Sequence, residues 1–436
     1  MKFYDREKEI TLLRNIEKKA LQTAQMTFMV GRRRIGKTSL LIKAMEPYTC
    51  VYFFVAKKNE TLLCAEFVEE LKLKLNVELF GTFKTFNDVF GYLMELSKTV
   101  HFTLIIDEFQ EFYSINPSVY SEMQHSWDSK KNESKMNLIL CGSIYSMMKR
   151  IFEQSKEPLF GRAMQRIQLK EFNVETLKEI LADNHPTYNS EDLLAFYLVT
   201  GGVAKYVELL VEANAFTIEA IINEVFSDNS LFLDEGKNVL IDEFGKDYGN
   251  YFSILSLIAS SKTSRVEMES VLEMQIGGYL DRLEVDFGII SRVKPIFAKP
   301  NSRSVKYQIN DNFLNFWFRF IYKYRGAIEI GNFNYVKEIV RRDYQAYSGR
   351  VLEKYFINKM MLEGNYSSIG TYWEKSNQNE IDIVAINEME KRLVFAEVKR
   401  KPENININEL KQKADSLSKQ FKDFEIKYTG LSMAEM

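Results

Sequence analysis

Cysteine, histidine and proline are scarce in this 436-residue chain, and each scarcity excludes a class of protein. Its three cysteines (Cys50, Cys64, Cys141) and three histidines (His101, His125, His185) lie far apart, with no CxxC or HxxxH spacing. That excludes structural zinc and a disulfide framework, and leaves each cysteine as a small buried apolar residue. Only 7 prolines and 20 glycines occur, with no low-complexity tract, which excludes a linker-rich, fibrous or disordered chain. Charge of one sign is also lacking: 58 Lys and Arg stand against 60 Asp and Glu, a net charge of −2. Any surface for nucleic acid or anionic lipid must therefore be local. No apolar run approaches the ~20 residues of a membrane span, and the N-terminus Met1-Lys2-Phe3-Tyr4-Asp5-Arg6-Glu7 is charged from the start. The expectation is a cytoplasmic protein with no membrane contact. What is present, 46% hydrophobic residues over a length that suggests roughly three domains, is enough for several cores.

Five textures follow along the chain, and together they define an α/β protein. Residues 1–172 alternate strand-like runs (Met26-Val30, Cys50-Val55, Phe102-Ile106, Asn137-Cys141) with helical patterns such as Lys37-Met45 and Leu62-Leu73. This alternation predicts a parallel sheet with crossover helices, the layout of a nucleotide-binding core. Over 173–240 the strands disappear and amphipathic helices dominate, with Gly201-Gly202 at a helix stop, which reads as a helical lid. Residues 241–310 give helices at Tyr251-Ala259, Ser264-Leu272 and Ile276-Asp286. Strands at Ile289-Pro295 and Ser304-Ile309 follow around a Pro300-Asn301-Ser302 turn, completing a winged helix. A helical connector rich in aromatics occupies 311–345, and its Phe313–Tyr322 run reads as core. Residues 346–436, with a helix beginning at Ser348 and then three strands and a helix, predict a small α/β domain.

Directly after Met26-Val30 comes Gly31-Arg32-Arg33-Arg34-Ile35-Gly36-Lys37-Thr38, a G-x-x-x-x-G-K-[ST] phosphate loop opening a helix at Ser39. Gly31 and Gly36 let the backbone wrap close to phosphates, while the amides of the loop and of Lys37, Thr38 and Ser39 point at negative charge. Lys37 can reach the outer phosphates of ATP, and the Thr38 hydroxyl can ligate Mg²⁺. Arg32, Arg33 and Arg34 receive no role. The strand Thr103-Ile106 ends in Asp107-Glu108, where Asp107 can hold the Mg²⁺ through water and Glu108 can orient an attacking water. A further strand ends in Cys141-Gly142-Ser143, with Ser143 either sensing the γ-phosphate or serving as a plain turn residue.

In order along the chain, these motifs, together with Phe3-Tyr4-Asp5-Arg6-Glu7, Pro158-Leu159-Phe160-Gly161-Arg162 and Thr200-Gly201-Gly202-Val203-Ala204-Lys205-Tyr206, resemble the archaeal-type ATPase family of the AAA+/STAND P-loop lineage. The resemblance is to the branch that carries a C-terminal nuclease-like domain. It implies that Asp5 and Arg6 lie near the adenine, that Arg162 is an arginine finger or sensor, and that Lys205 contacts phosphate as a second sensor. Ala204 stands where the family usually has proline. Read from the residues alone, Arg162 is equally an ordinary salt-bridge partner.

The winged helix offers few donors on its third helix, which is acidic on balance. Arg292, Lys294, Lys299, Arg303 and Lys306 in the wing could form a basic strip, with protein docking as the alternative. The C-terminal domain is richer in chemistry. Glu353 sits beside the apolar stripe of a helix, Asp382 lies on the strand Asn379-Ala385, and Glu397 and Lys399 share one face of Leu393-Lys399. Asp382 and Glu397 are hard oxygen ligands suited to Mg²⁺ or Mn²⁺, and Lys399 can activate water. This pattern is similar to the PD-(D/E)XK nucleases and implies a restriction-endonuclease-like fold. The expectation is an ATP-binding, ATP-hydrolysing protein whose C-terminal domain is a metal-dependent DNA nuclease, ATP acting as a conformational switch. Its partners would be ATP, DNA, a protein at the winged helix and a second copy of the chain. The alternative is a regulatory STAND-type ATPase whose C-terminal domain binds DNA or protein without cutting.

Overall fold

The computed structural model describes residues 1–79, 81–245, 248–299, 302, 304–374 and 379–436. The chain forms two compact units, one of Phe3–Glu171 and one of Met1–Lys2 with Phe172–Met436.

The first unit is built on five parallel strands, β1 (Gln25–Val30), β2 (Cys50–Phe54), β3 (Phe102–Asp107), β4 (Met136–Cys141) and β5 (Gln165–Gln168), in the order β2-β3-β4-β1-β5. Every residue of β1, β3 and β4 is buried, as continuous apolar runs require when helices cover both faces of a parallel sheet. Alternate residues feed two cores. Phe28, Leu104, Ile106, Leu138 and Leu140 pack on one side, and Met29, Ile105, Ile139 and Cys141 pack on the other with Leu40 and Leu41. β5 was not anticipated. It is four residues long with one buried side chain, Ile167, too little apolar pattern to announce an edge strand. The N-terminal helix α1 (Glu7–Ala20) brings Glu17, 1% exposed, to the sheet. There its carboxylate accepts from Thr103 Oγ1 (2.5 Å) and Asn137 Nδ2 (2.6 Å) and lies 2.7 Å from His101 Nε2. A buried charge held by three polar partners satisfies the condition for burial.

In the second unit the helices over Val174–Phe244 lead into Tyr248–Ala259, Arg265–Leu272 and Gly277–Asp281, then the two-stranded antiparallel β6 (Ile290–Val293) and β7 (Lys306–Ile309). Three helices and a hairpin appear as the sequence suggests. The expected third helix Ile276–Asp286 is corrected, because it changes to a π-turn at Arg282–Asp286. Pro300, Asn301 and Arg303 of the expected wing lie outside the described residues. The aromatic run is core, as expected: Phe313, Phe316, Trp317, Phe318 and Phe320 are all buried. Trp317 donates to Leu233 O at 2.9 Å and lies against Gly236, where a Cβ would come within 2.2 Å of the indole.

The helix expected to begin at Ser348 is also corrected. It runs unbroken over Phe333–Glu363, so residue 345/346 falls inside a helix. Val336, Val340, Tyr344, Tyr347, Val351 and Tyr355 continue one buried stripe through that position, and no proline interrupts it. This helix packs on a four-stranded sheet, β8 (Ser368–Tyr372), β9 (Ile381–Asn387), β10 (Arg392–Val398) and β11 (Glu425–Leu431), in the order β11-β10-β9-β8. The strands β8, β9 and β10 pair antiparallel, and β11, unforeseen from the sequence, pairs parallel with β10 beyond the Ile407–Ser418 helix.

Candidate functional site

In the first unit, Gly31–Gly36 leaves the C-terminal end of β1 and turns into helix α2 (Lys37–Met45). Gly36 has φ +93°, a left-handed conformation that glycine adopts without penalty. At Gly31 a Cβ would lie 2.9 Å from Leu169 O, so only glycine lets the loop pass the chain leaving β5. Lys37 is buried, and its ammonium bonds the loop's own carbonyls, Gly31 O at 2.8 Å and Arg32 O at 3.1 Å. Ser39 is exposed on the first turn of α2.

Asp107 ends β3, 5% exposed, and all four of its acceptor directions are engaged. Oδ2 accepts from Thr38 Oγ1 (3.0 Å) and Tyr52 Oη (2.6 Å); Oδ1 accepts from the Glu108 amide (2.9 Å) and Cys141 Sγ (3.2 Å). Burial, followed by Asp107, pushes the Cys141 thiol well up, so it stays a donor. Glu108 has φ +54°, and its Oε2 accepts from Gln110 Nε2 (2.5 Å), Ser143 Oγ (2.7 Å) and the Ser143 amide (3.2 Å). Ser143 therefore holds the carboxylate expected to orient water. Gly142 makes room for Gln110, because a Cβ there would lie 2.0 Å from Gln110 Oε1. Thr38 and Asp107 are hard oxygen donors beside a loop of backbone amides, a donor set that fits ATP and Mg²⁺.

Three positions implied by family resemblance find other partners. Arg6 is 6% exposed and donates to Lys170 O (2.7 Å), its pKa lowered by burial; Asp5 and Arg6 both have positive φ. Arg162 meets Asp128 Oδ2 at 3.2 and 3.3 Å and Phe160 O at 2.8 Å, the salt-bridge arrangement. Lys205, in the second unit, bonds Glu208 at 2.5 Å one turn along its helix.

In the C-terminal sheet the pairing Ala396↔Ile383 carries on toward Glu397 and Asp382, bringing the two carboxylates together. Lys399 Nζ lies 3.3 Å from Glu397 and 3.6 Å from Asp382. Backbone amides fix both acids: Val398 N–H donates to Asp382 Oδ2 (2.7 Å) and Asn406 N–H to Glu397 Oε2 (2.8 Å). Burial raises the Asp382 pKa despite the Val398 amide. Burial pulls the Lys399 ammonium down, but Asp382 and Glu397 more than offset this, and its pKa is raised. Glu353 lies close enough to feel both groups; burial first, then Asp382, pushes its carboxyl up to about 8. Lys413, on the helix after β10, stands 4.0 Å from Glu397 as a second cation beside it. Among the described residues no group of three or more His, Cys, Asp or Glu is placed to hold a metal. Two carboxylates do suit Mg²⁺, which commonly keeps several of its waters.

Sequence reasoning missed Tyr52, Gln110 and the bond from Cys141. Each sits inside an apolar strand or follows a motif, and only the three-dimensional neighbours reveal its role.

A parallel sheet in this order, with a glycine loop after β1 and an acidic pair ending β3, is the architecture of a P-loop ATPase core. Residues 3–210 match the family described as an ATPase domain predominantly from Archaea, and residues 317–415 match archaeal and bacterial proteins of unknown function. An uncharacterized protein of Methanocaldococcus jannaschii is 30% identical over 410 residues, covering 92% of this chain and 88% of its own length. The chain belongs to this archaeal-type ATPase family, with the C-terminal domain of unknown function joined to the ATPase domain. The Walker-type ATPase of Pyrococcus abyssi shares the fold at TM-score 0.53 and 17% identity, covering 72% of this chain and 96% of that one. The Aeropyrum pernix ORC2 protein, solved in ADPNP and ADP complexes, is more distant at TM-score 0.47 and 13% identity, covering 78% and 96%. Among the described residues no helix is long and apolar enough to cross a membrane.

Proposed function

We propose that the chain binds and hydrolyses ATP at the Gly31–Thr38 loop, and that its C-terminal domain is a metal-dependent DNA nuclease whose access ATP controls. Lys37 and the loop amides would take the phosphates, Thr38 and Asp107 would hold Mg²⁺, and Glu108 would orient the attacking water once released from Ser143 and Gln110. Bound Mg²⁺ supplies charge neutralisation between the phosphates.

The observation that carries the nuclease reading is the meeting of Asp382, Glu397 and Lys399. Two carboxylates fixed by backbone amides and an ammonium in contact with both is an arrangement that salt-bridging alone does not require. Asp382 and Glu397 would hold Mg²⁺ or Mn²⁺, which lowers the pKa of a bound water. Lys399 would position the nucleophile against a phosphodiester, and Glu353, protonated at neutral pH, is a proton source beside it.

One observation favours a second reading, a regulatory ATPase whose C-terminal domain binds without cutting. Two of the wing's cations are already paired: Arg292 with Asp281 (2.6 Å) and Glu284 (2.7 Å), and Lys306 with Glu380 (2.9 Å). That leaves the winged helix better suited to a protein partner than to a phosphate backbone.

The test is cleavage of single-stranded, duplex and branched DNA in Mg²⁺ and Mn²⁺, with and without ATP, comparing wild type with Asp382→Ala and Lys37→Ala. Cleavage lost in Asp382→Ala supports the nuclease, and loss of its ATP response in Lys37→Ala supports the switch. ATP turnover without cleavage under any condition selects the second reading.

A further inference from the structure

We propose that Tyr52 is a positioning residue of the nucleotide site: its hydroxyl fixes the Asp107 carboxylate in the orientation that receives the divalent cation accompanying ATP. The inference rests on the ATPase reading above.

The placement follows from register. In the parallel pair β2·β3, Tyr52 lies opposite Ile105 and Phe54 opposite Asp107, so Tyr52 and Asp107 stand on the same face, two residues apart along the strands. A side chain must span that diagonal to reach the carboxylate. The Tyr52 hydroxyl does so, at 2.6 Å from Oδ2, while its half-buried ring packs against the core formed by Leu40, Leu41 and Ile105. A phenylalanine would keep that packing and lose only the donor.

The four donors on Asp107 are not equivalent. The Glu108 amide and the Cys141 thiol fix Oδ1 from within the sheet. On Oδ2, Thr38 is the second donor, but its hydroxyl belongs to the phosphate loop and is itself a cation ligand. Tyr52 is therefore the one donor on Oδ2 that sits on the rigid sheet and has no other task at the site. A hydrogen bond to a charged group contributes more than one between neutral groups. Its loss leaves Oδ2 held only by Thr38 of the phosphate loop, so the cost should fall on cation affinity and not on nucleotide affinity.

The experiment titrates Mg²⁺ into wild type, Tyr52→Phe and Tyr52→Leu with a fluorescent ADP analogue, and measures melting without nucleotide or metal. Binding of the analogue in EDTA should change less than twofold in both variants. The Mg²⁺ concentration at half effect should rise about tenfold, by a similar factor in Phe and Leu because only the hydroxyl acts. A purely structural tyrosine would lower the melting temperature and leave the Mg²⁺ midpoint in place; that result overturns the inference. A wild-type protein that binds the analogue with no Mg²⁺ dependence overturns the ATPase reading together with it. A wild-type dependence left unshifted in Tyr52→Phe overturns the role of Tyr52 alone.

Discussion

Glu353 offers a test of the C-terminal site that needs neither metal nor DNA. Its carboxyl is raised from 4.5 to about 8, by burial first and then by Asp382 and Glu380. The folded chain therefore keeps a proton that the unfolded chain releases once the pH passes the usual glutamate range. The sign follows from that difference: where the native state binds more protons, stability falls as pH rises. The fall begins near pH 4.5, is steepest between there and pH 8, and stops above the folded value, with a slope of up to about 1.4 kcal/mol per pH unit. The shift sets a ceiling of roughly 5 kcal/mol across the window, and we expect about half of it, since the side chain keeps some exposure to water. Glu353→Gln removes the titration while keeping the shape. Urea unfolding in EDTA at pH 5, 7 and 9, followed by tryptophan fluorescence in a Trp127→Phe background so that Trp317 and Trp373 report the second unit, measures the difference. The variant should gain about 2 kcal/mol over the parent between pH 5 and pH 9. Parallel pH profiles for the two would refute the buried-acid assignment.

Two further changes probe the ATPase core. Glu108→Gln should leave nucleotide affinity within a few-fold and lower ATP turnover by about 10²–10⁴, as read by phosphate release; unchanged turnover would remove Glu108 from the chemistry. Gly142→Ala places a methyl 2.0 Å from Gln110 Oε1 and 2.7 Å from Met148 Sδ. It should cost roughly 1–3 kcal/mol by overpacking and free Glu108 from Gln110, seen as a lowered melting temperature with an altered turnover rate.

The parts of the fold legible in the sequence were those with an unambiguous period or a fixed spacing. β1, β3 and β4 are fully buried apolar runs, and the Gly31–Thr38 loop carries its own signature. Asp382, Glu397 and Lys399 could be brought together on paper because a strand alternates with period two and a hairpin sets two such strands side by side. β5 and β11 escaped because edge strands bury little: β5 buries only Ile167, and β11 has no fully buried position. The Phe333–Glu363 helix starts before Ser348 because the aromatic stripe through Tyr344 and Tyr347 carries it across Ser348-Gly349. Tyr52 was illegible for a different reason. A lone aromatic in an apolar strand is core by default, and its bond to Asp107 depends on the register of a neighbour 55 residues away.

The proposed control of cleavage by ATP would require a lever between the helices over Val174–Phe244 and the carboxylate strand, and within the second unit Arg400 has the right connections. It directly follows Lys399, donates to Glu191 Oε2 at the start of the Ser190–Thr200 helix and to Ser348 Oγ on the long helix, and lies over the Tyr344 ring at 5.3 Å. A shift of that helix cannot leave the segment following β10 untouched while the Glu191–Arg400 pair holds. Glu191→Gln weakens the pair without emptying its space, and both partners keep some contact with water, so the cost in stability should stay near 1 kcal/mol or below. The effect on coupling should be larger than that cost. The ratio of DNA cleavage with and without ATP should fall toward one in Glu191→Gln, while ATP turnover and metal-dependent cleavage persist. An unchanged ratio would place the lever elsewhere in the unit, and a parallel loss of both activities would mean that the pair serves only to hold the fold.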